Sequence, residues 1–184
     1  MASIYDIKPA FQNLLRPITK WLADHNVTAN QITLSALVLS ILAGASLAWN
    51  TSQTAIFFLI PLVLFIRMAL NAIDGMLARE HNMKSSLGAI LNELCDVISD
   101  VALYLPFALL PGVSLWLVVF VVICAIITEM TGLIAVQIGA SRRYDGPMGK
   151  SDRAFVFGGI ALALAIGIAP ASWLDWALSI ILVL

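Results

Sequence analysis

Acids, amides and an arginine stand at helical spacing inside two otherwise apolar segments. Asn71, Asp74, Gly75, Ala78 and Arg79 lie in the first; Gly88, Asn92, Glu93, Asp96 and Asp100 lie in the second. A charge near the centre of a bilayer costs at least about 2.5 kcal/mol even on the mildest scale. Such groups therefore face a cavity, a partner or a cation. On a helix, Asn71, Asp74, Gly75 and Ala78 share one face through steps of three and four residues, and Gly88, Asn92, Asp96 and Asp100 share another. The connection between the segments is short, which makes the two helices antiparallel neighbours whose polar faces can meet at one depth. Carboxylates and amides converging there form an oxygen-rich cage of the kind that suits Mg²⁺, Mn²⁺ or Ca²⁺. Gly75, Ala78 and Gly88 keep the wall of that cage low. A polar seam joining two helices is the structural alternative, but Asp74, Glu93, Asp96, Asp100 and Arg79 are more ionisable groups than a seam needs.

The elements that must position these residues are membrane spans. The 184 residues are 61% hydrophobic and 11% charged, with a mean hydropathy of +0.97; a soluble domain carries roughly 25% charge. One domain, 1–184, is expected. Six apolar segments, near 30–50, 54–79, 86–110, 113–139, 153–169 and 172–184, each approach the roughly 20 residues a span requires. Ahead of them, within 1–27, Phe11, Leu14, Leu15, Ile18, Trp21 and Leu22 recur at helical spacing among polar residues. That pattern predicts an amphipathic helix lying in the membrane interface, with Pro17 bending or breaking it. The expected fold is thus all-α: an interfacial helix, then a six-span bundle over 28–184. Among the connections, Lys and Arg fall before the first span and between spans two and three and four and five, and the other three have none, which puts both termini and the polar cluster on the cytoplasmic side. No basic face with interleaved aromatics is present, so nucleic acid is not an expected partner. Cys95 and Cys124 both fall within spans, have no metal-type spacing and are not expected to pair.

The spacing from residue 71 to residue 96 resembles the signature of the CDP-alcohol phosphotransferase family. That signature reads Asp, two residues, Asp-Gly, two residues, Ala-Arg, eight residues, Gly, three residues, Asp, three residues, Asp. Asp74-Gly75, Ala78-Arg79, Gly88 and Asp96 match without a gap, while Asn71 and Asn92 replace the first and third aspartates. The opening Thr28-Ala-Asn30-Gln-Ile-Thr33 also looks like the family's, and the chain is similar to a bacterial inner-membrane branch sharing the two asparagines. The resemblance implies transfer of a phosphatidyl group from CDP-diacylglycerol to an alcohol acceptor, with release of CMP. By position, Asp74 and Asp96 become metal ligands with Asn71 and Asn92 beside them, and Asp96 also the general base. Gly75, Ala78, Arg79 and Gly88 shape the cytidine diphosphate pocket. The cofactor implied is Mg²⁺ or Mn²⁺, one ion or two, since an asparagine offers one neutral oxygen where aspartate offers a charged pair. Asp100, one turn beyond Asp96, is a further candidate ligand, and Glu93 a weaker one. A homodimer is implied by the resemblance alone.

Arg142, Arg143, Lys150 and Arg153 gather between spans four and five. Besides serving the positive-inside rule, they suit recognition of a phosphorylated acceptor such as glycerol 3-phosphate, arginine forks being matched to phosphate. Arg67 and Glu129 lie deep in spans two and four and are the natural partners of one another if those helices adjoin. His25 and His81 read as loop or capping residues. Two rival functions are a binding protein or pseudoenzyme that keeps the CDP-lipid pocket but has lost the second metal, and a small ion or solute transporter. The clustering of charge in the cytoplasmic half argues against the second.

Overall fold

In a computed structural model, residues 4–137, 139 and 148–184 are described, and among them the chain is helical with no strand. The helices are α1 (Ile4–Asp24), α2 (Ala29–Trp49), α3 (Leu59–Glu80), α4 (Ser86–Tyr104), α5 (Leu115–Gln137), α6 (Lys150–Ala165) and α7 (Ser172–Val183). Short 3₁₀ turns, Thr54–Phe58 and Leu105–Leu109, precede α3 and follow α4. Ala29–Trp49, Thr54–Glu80 and Leu115–Val136 are each long and apolar enough to cross a membrane. The fold is that of an all-α membrane protein. The remaining helices are shorter or, like α4 with Glu93, Asp96 and Asp100, more charged, so three of the six expected spans meet both criteria.

Local chemistry sets the helix ends. Thr28 and Gln31 cap α2 reciprocally: the Thr28 N–H donates to Gln31 Oε1 (2.8 Å) and the Gln31 N–H to Thr28 Oγ1 (3.3 Å). Ser85 opens α4 by accepting the Gly88 N–H on its Oγ (2.9 Å). Asn26 and Asn82 adopt positive φ just past α1 and α3, the role that asparagine shares with glycine at a helix end. The third expected segment, 86–110, stops being α-helical at Tyr104. Pro106 explains the change, because its ring disfavours the α conformation at Leu105 and its nitrogen has no proton to donate. Pro17, in contrast, does not break α1, which runs through it to Asp24. The lost hydrogen bond is outweighed by the packing of the same helix, described next.

The residues fall into two compact units, 1–39 with 65–96 and 40–64 with 97–184. In the first, Leu15 is buried in a cluster with Ala29, Ile32, Ile73, Met76 and Leu77, and Phe11 and Leu22 pack against its rim. The apolar residues of α1 therefore divide. One set clamps α1 onto α2 and α3, while Leu14, Ile18 and Trp21 form an exposed outer stripe at steps of four and three. Arg16 adds a two-pronged bond to Glu80 across the surface of α1 and α3; being exposed, it contributes at most about 1 kcal/mol.

The second unit is organised by aromatic packing. The Tyr104 and Phe157 rings stack at 4.1 Å, and Phe107 meets Phe157 edge-on at 5.3 Å. Gly44 lies so close to α4 that a methyl group there would overlap the Ala102 carbonyl, which makes glycine a requirement of the α2–α4 approach. Among these apolar groups sits an ion cluster. Arg153 Nη2 donates to Glu129 Oε1 (2.9 Å) and Asp100 Oδ2 (3.2 Å), and Nη1 donates to the Met148 carbonyl (3.0 Å). All three ionised side chains are nearly enclosed, with 3–10% of their surface exposed. Removing one member of a buried ion set leaves an uncompensated charge, at a cost of about 3–5 kcal/mol. Arg153→Met should therefore lower stability by about 3–5 kcal/mol, read as a fall in the unfolding midpoint of the detergent-solubilised protein. Glu129→Gln, which keeps an acceptor and leaves Arg153 with Asp100, should cost less.

Candidate active site

The first unit contains a cavity of about 670 Å³, within the range of small-molecule sites. It is built from three stretches of chain. α3 supplies Asn71, Asp74, Gly75, Ala78 and Arg79. The start of α4 supplies Gly88, Ala89, Asn92 and Glu93. The third contribution comes from Asn30 and Thr33 on the first turns of α2, together with Met83 to Ser86 of the α3–α4 connection. The face expected from the steps 71, 74, 75 and 78 is thus one wall, and Gly88 and Asn92 belong to the facing one.

Asp74 is buried, and its Oδ2 accepts the Thr33 hydroxyl (2.8 Å). That bond orients the carboxylate. Asp96 stands one hydrogen bond behind the cavity wall. Its Oδ1 accepts from Asn71 Nδ2 (3.1 Å) and from Arg67 Nη2 (3.3 Å), and the same guanidinium nitrogen donates to the Asp96 backbone carbonyl (2.9 Å). The Arg67 side chain is 4% exposed and that of Asp96 19%. Asn71 therefore joins the two aspartates: it shares the cavity with Asp74 and holds Asp96 from the other side. With Nδ2 turned to Asp96, its Oδ1 remains as an acceptor.

The two glycines have specific neighbours. A side chain at Gly75 would press on the Arg79 guanidinium, 2.9 Å from Nη2, so Gly75 lets Arg79 fold back along α3. A side chain at Gly88 would meet Asn30 Oδ1 at 2.7 Å and Ser85 Oγ at 2.9 Å. Gly88 thereby brings the amide of α2 up to α4.

Among the described residues, no three His, Cys, Asp or Glu side chains come together as a ready metal cluster. The donors that do converge are the Asp74 carboxylate, the Asn71 and Asn92 amides and, behind them, Asp96. All are oxygens, which fits a hard cation such as Mg²⁺ or Mn²⁺ that keeps part of its water shell.

Other expected site residues lie elsewhere. Asp100 belongs to the second unit and accepts from Arg153. Arg153 is not an open basic group but the buried centre of its ion cluster. Lys150 begins α6 and is half-buried. Arg142 and Arg143 lie outside the described residues. Arg67 and Glu129, expected as partners, bond Asp96 and Arg153 respectively. His25 caps α1, its Nδ1 lying 2.8 Å from the Trp21 carbonyl, and Cys95 and Cys124 are free thiols. The cavity residues that sequence reasoning missed are Asn30, Thr33, Lys84, Ser85 and Ser86. The spacing of Asn30 and Thr33, three residues apart on one face, was the available signal.

Comparison with known proteins gives the family. The chain is 56% identical over 174 residues to inner membrane protein YnbA of Escherichia coli, covering 95% of this chain and 85% of that one. It is 30% identical over 114 residues to an archaetidylinositol phosphate synthase of Pyrococcus horikoshii, covering 62% of this chain and 57% of the relative. A third relative, cholinephosphotransferase 1 of Gallus gallus, is 33% identical over 96 residues, which are 52% of this chain and 29% of that protein. The sequence model of one family, described as CDP-alcohol phosphatidyltransferase, matches residues 26–184, a stretch that contains every residue of the cavity wall. The chain belongs to the CDP-alcohol phosphatidyltransferase family.

Proposed function

We propose that this chain transfers the phosphatidyl group of CDP-diacylglycerol to a small alcohol, releasing CMP, as a step of phospholipid synthesis. The observation that carries the reading is the single cavity in which Asn71, Asp74, Gly75, Ala78, Arg79, Gly88 and Asn92 meet, with Asp96 held directly behind Asn71. In the reaction, the acceptor oxygen attacks the phosphorus that carries diacylglycerol. The bond from that phosphorus to the bridging oxygen breaks, and CMP leaves with the electron pair. Asp96 takes the acceptor's proton, and the Arg67 and Asn71 donors on its Oδ1 hold it aimed. Arg79 and Lys84 lie on the cavity wall, where they can meet the phosphate oxygens of the donor. Asn71, Asp74 and Asn92 would hold a divalent cation, with Asp96 at its edge. Such an ion, when bound, neutralises the diphosphate and eases departure of CMP. Positioning and charge neutralisation supply most of the catalysis in phosphoryl transfer.

The finer parts of this reading rest on other support. A multi-pass location in a bacterial inner membrane, with the cavity and N-terminus facing the cytoplasm, is supported by the placement of Lys and Arg and by the name of the Escherichia coli relative. The exposed Leu14, Ile18 and Trp21 stripe of α1 is suited to lie in the lipid interface. A phosphorylated acceptor, glycerol 3-phosphate for example, is supported by Lys150 with Arg142 and Arg143 in sequence, and by a relative named as an inositol phosphate lipid synthase. Homodimerisation rests on the family resemblance.

The replacement of two motif aspartates by Asn71 and Asn92 favours one competing reading, a protein that binds CDP-lipid without transferring it. The decisive assay measures CMP release from CDP-diacylglycerol in detergent, with a panel of acceptors and with Mg²⁺ or Mn²⁺. Acceptor-dependent release is expected, abolished by chelation and lowered at least ~100-fold by Asp74→Asn or Asp96→Asn. Binding of CDP-diacylglycerol with no release for any acceptor would establish the competing reading. Lys150→Ala should raise the KM for a phosphorylated acceptor about tenfold, the loss of one charged contact, and leave the KM for CDP-diacylglycerol unchanged. Equal KM values for the acceptor in both proteins would remove the phosphate-recognition role.

A further inference from the structure

The two asparagines that replace signature aspartates stand in different surroundings. We infer that Asn71 is a positioning residue of the transfer reaction: its amide donates to Asp96 and holds that carboxylate for the acceptor's proton, a duty that an aspartate at 71 cannot perform. This rests on the transfer proposed above, in which Asp96 is the base.

Asn71 lies on α3 at the cavity wall, and its Nδ2 is 3.1 Å from Asp96 Oδ1 on α4. A carboxylate oxygen accepts and does not donate, so the amide presents its N–H there. Arg67, one turn earlier on α3, reaches the same oxygen with Nη2 at 3.3 Å. Two donors from successive turns of one helix thus grip one oxygen on the next helix, which limits how the Asp96 side chain can rotate. Any further contact of Asp96 leaves the donor side of this bond in place. The contact is partly enclosed, with 19% of the Asp96 side chain exposed.

An ionised aspartate at 71 would offer acceptor oxygens and no proton. At 3.1 Å from Asp96 Oδ1 it would set like charge against like charge. Asn92 supplies the contrast. It lines the same cavity from α4, and among the described residues its carboxamide bonds no carboxylate. An aspartate there would add charge to the wall with no hydrogen bond lost. The amide at 71 therefore brings a donor that the signature residue lacks, while the amide at 92 differs from it in charge alone.

The test uses the full chain in detergent. CMP release is measured over a range of Mn²⁺ up to saturation, Mn²⁺ affinity by equilibrium dialysis, and the unfolding midpoint in the presence of chelator. Asn71→Ala and Asn71→Asp should each lower kcat at least ~10-fold, a deficit that added Mn²⁺ does not repair. Asn92→Asp should instead tighten Mn²⁺ binding at least ~3-fold, because it raises the ligand charge. Asn71→Asp should also lower the midpoint. Combining it with Asp96→Asn exchanges donor and acceptor, and should recover most of that loss while the protein stays inactive, its base having moved. A merely structural amide would lower the midpoint of Asn71→Ala and leave the kcat of the folded protein intact. A higher kcat in Asn71→Asp than in the unaltered chain, repair of Asn71→Ala by Mn²⁺, or an exchange variant no more stable than Asn71→Asp would overturn the inference and leave the transfer reaction standing. If Asn71→Asp does not fold, Asn71→Ala, which removes the donor and adds no charge, decides alone. No CMP release from the unaltered chain with any acceptor would overturn the proposed function, and the duty of Asn71 with it.

Discussion

An arginine enclosed among apolar helices has few acceptable surroundings, and Arg67 has found one of them: a carboxylate and a main-chain carbonyl of the same residue on the neighbouring helix. A guanidinium stays charged at any physiological pH, so its burial must be compensated by acceptors already in place. That requirement fixes α4 against α3 at the level of Asp96. It also determines which way Asn71 faces, because the amide that joins Arg67 on Asp96 Oδ1 must present Nδ2 there and leave Oδ1 for other use. Asn71 is in turn part of the cavity wall one turn from Asp74. A packing constraint is thereby transmitted in two hydrogen bonds to the wall of the cavity.

Much of this could be read from the residues alone. The spacing from 71 to 96 put polar side chains on facing helices, and residues of both line one cavity, because both helices are regular through the motif and the connection between them is short. The end of α1 and the opening of α2 could be read for the same reason, since Asn26, Thr28 and Gln31 act on their own backbone neighbours. What could not be read depends on partners distant in sequence. Arg67 and Glu129 are both deep charges of opposite sign, and pairing them was the economical guess. Glu129, however, meets Arg153, which the sequence offers as one of a string of loop cations. Pro17 carries a strong local signal for a helix break, yet the burial of Leu15 and its neighbours on both sides of it overrides that signal. Asn30 meets α4 where Gly88 leaves room for it, and Thr33 reaches Asp74 of α3, contacts that no pattern within either segment announces.

The two units handle buried charge in opposite ways. Around Arg153 the ions close on one another: a single guanidinium nitrogen serves Glu129 and Asp100, and the neighbouring space, lined by Val97, Val101, Tyr104 and Val122 among others, is small and mostly apolar. Such a cluster specifies an arrangement of helices and does little else, since every change in its charge leaves an orphan. Around Asp74 the groups are held apart from one another by a wide cavity that polar atoms line. The thermodynamic difference lies in what fills the space. A closed ion set is complete when the protein folds, whereas an open one is completed by whatever enters.

The substitution of asparagine at 71 and 92 bears directly on that distinction. Four carboxylates around one cavity would repel one another and would need cations at all times to be tolerated in apolar surroundings. With two of them neutral and Arg67 set on a third group of the same constellation, the mutual repulsion is removed, and the amides still offer oxygens. In the proposed reaction a divalent ion would find less ligand charge here than four carboxylates offer, and a diphosphate would bring oxygens and negative charge of its own. Binding of ion and donor in this cavity would then be mutually reinforcing, each increasing the affinity for the other by the same factor, as linkage requires.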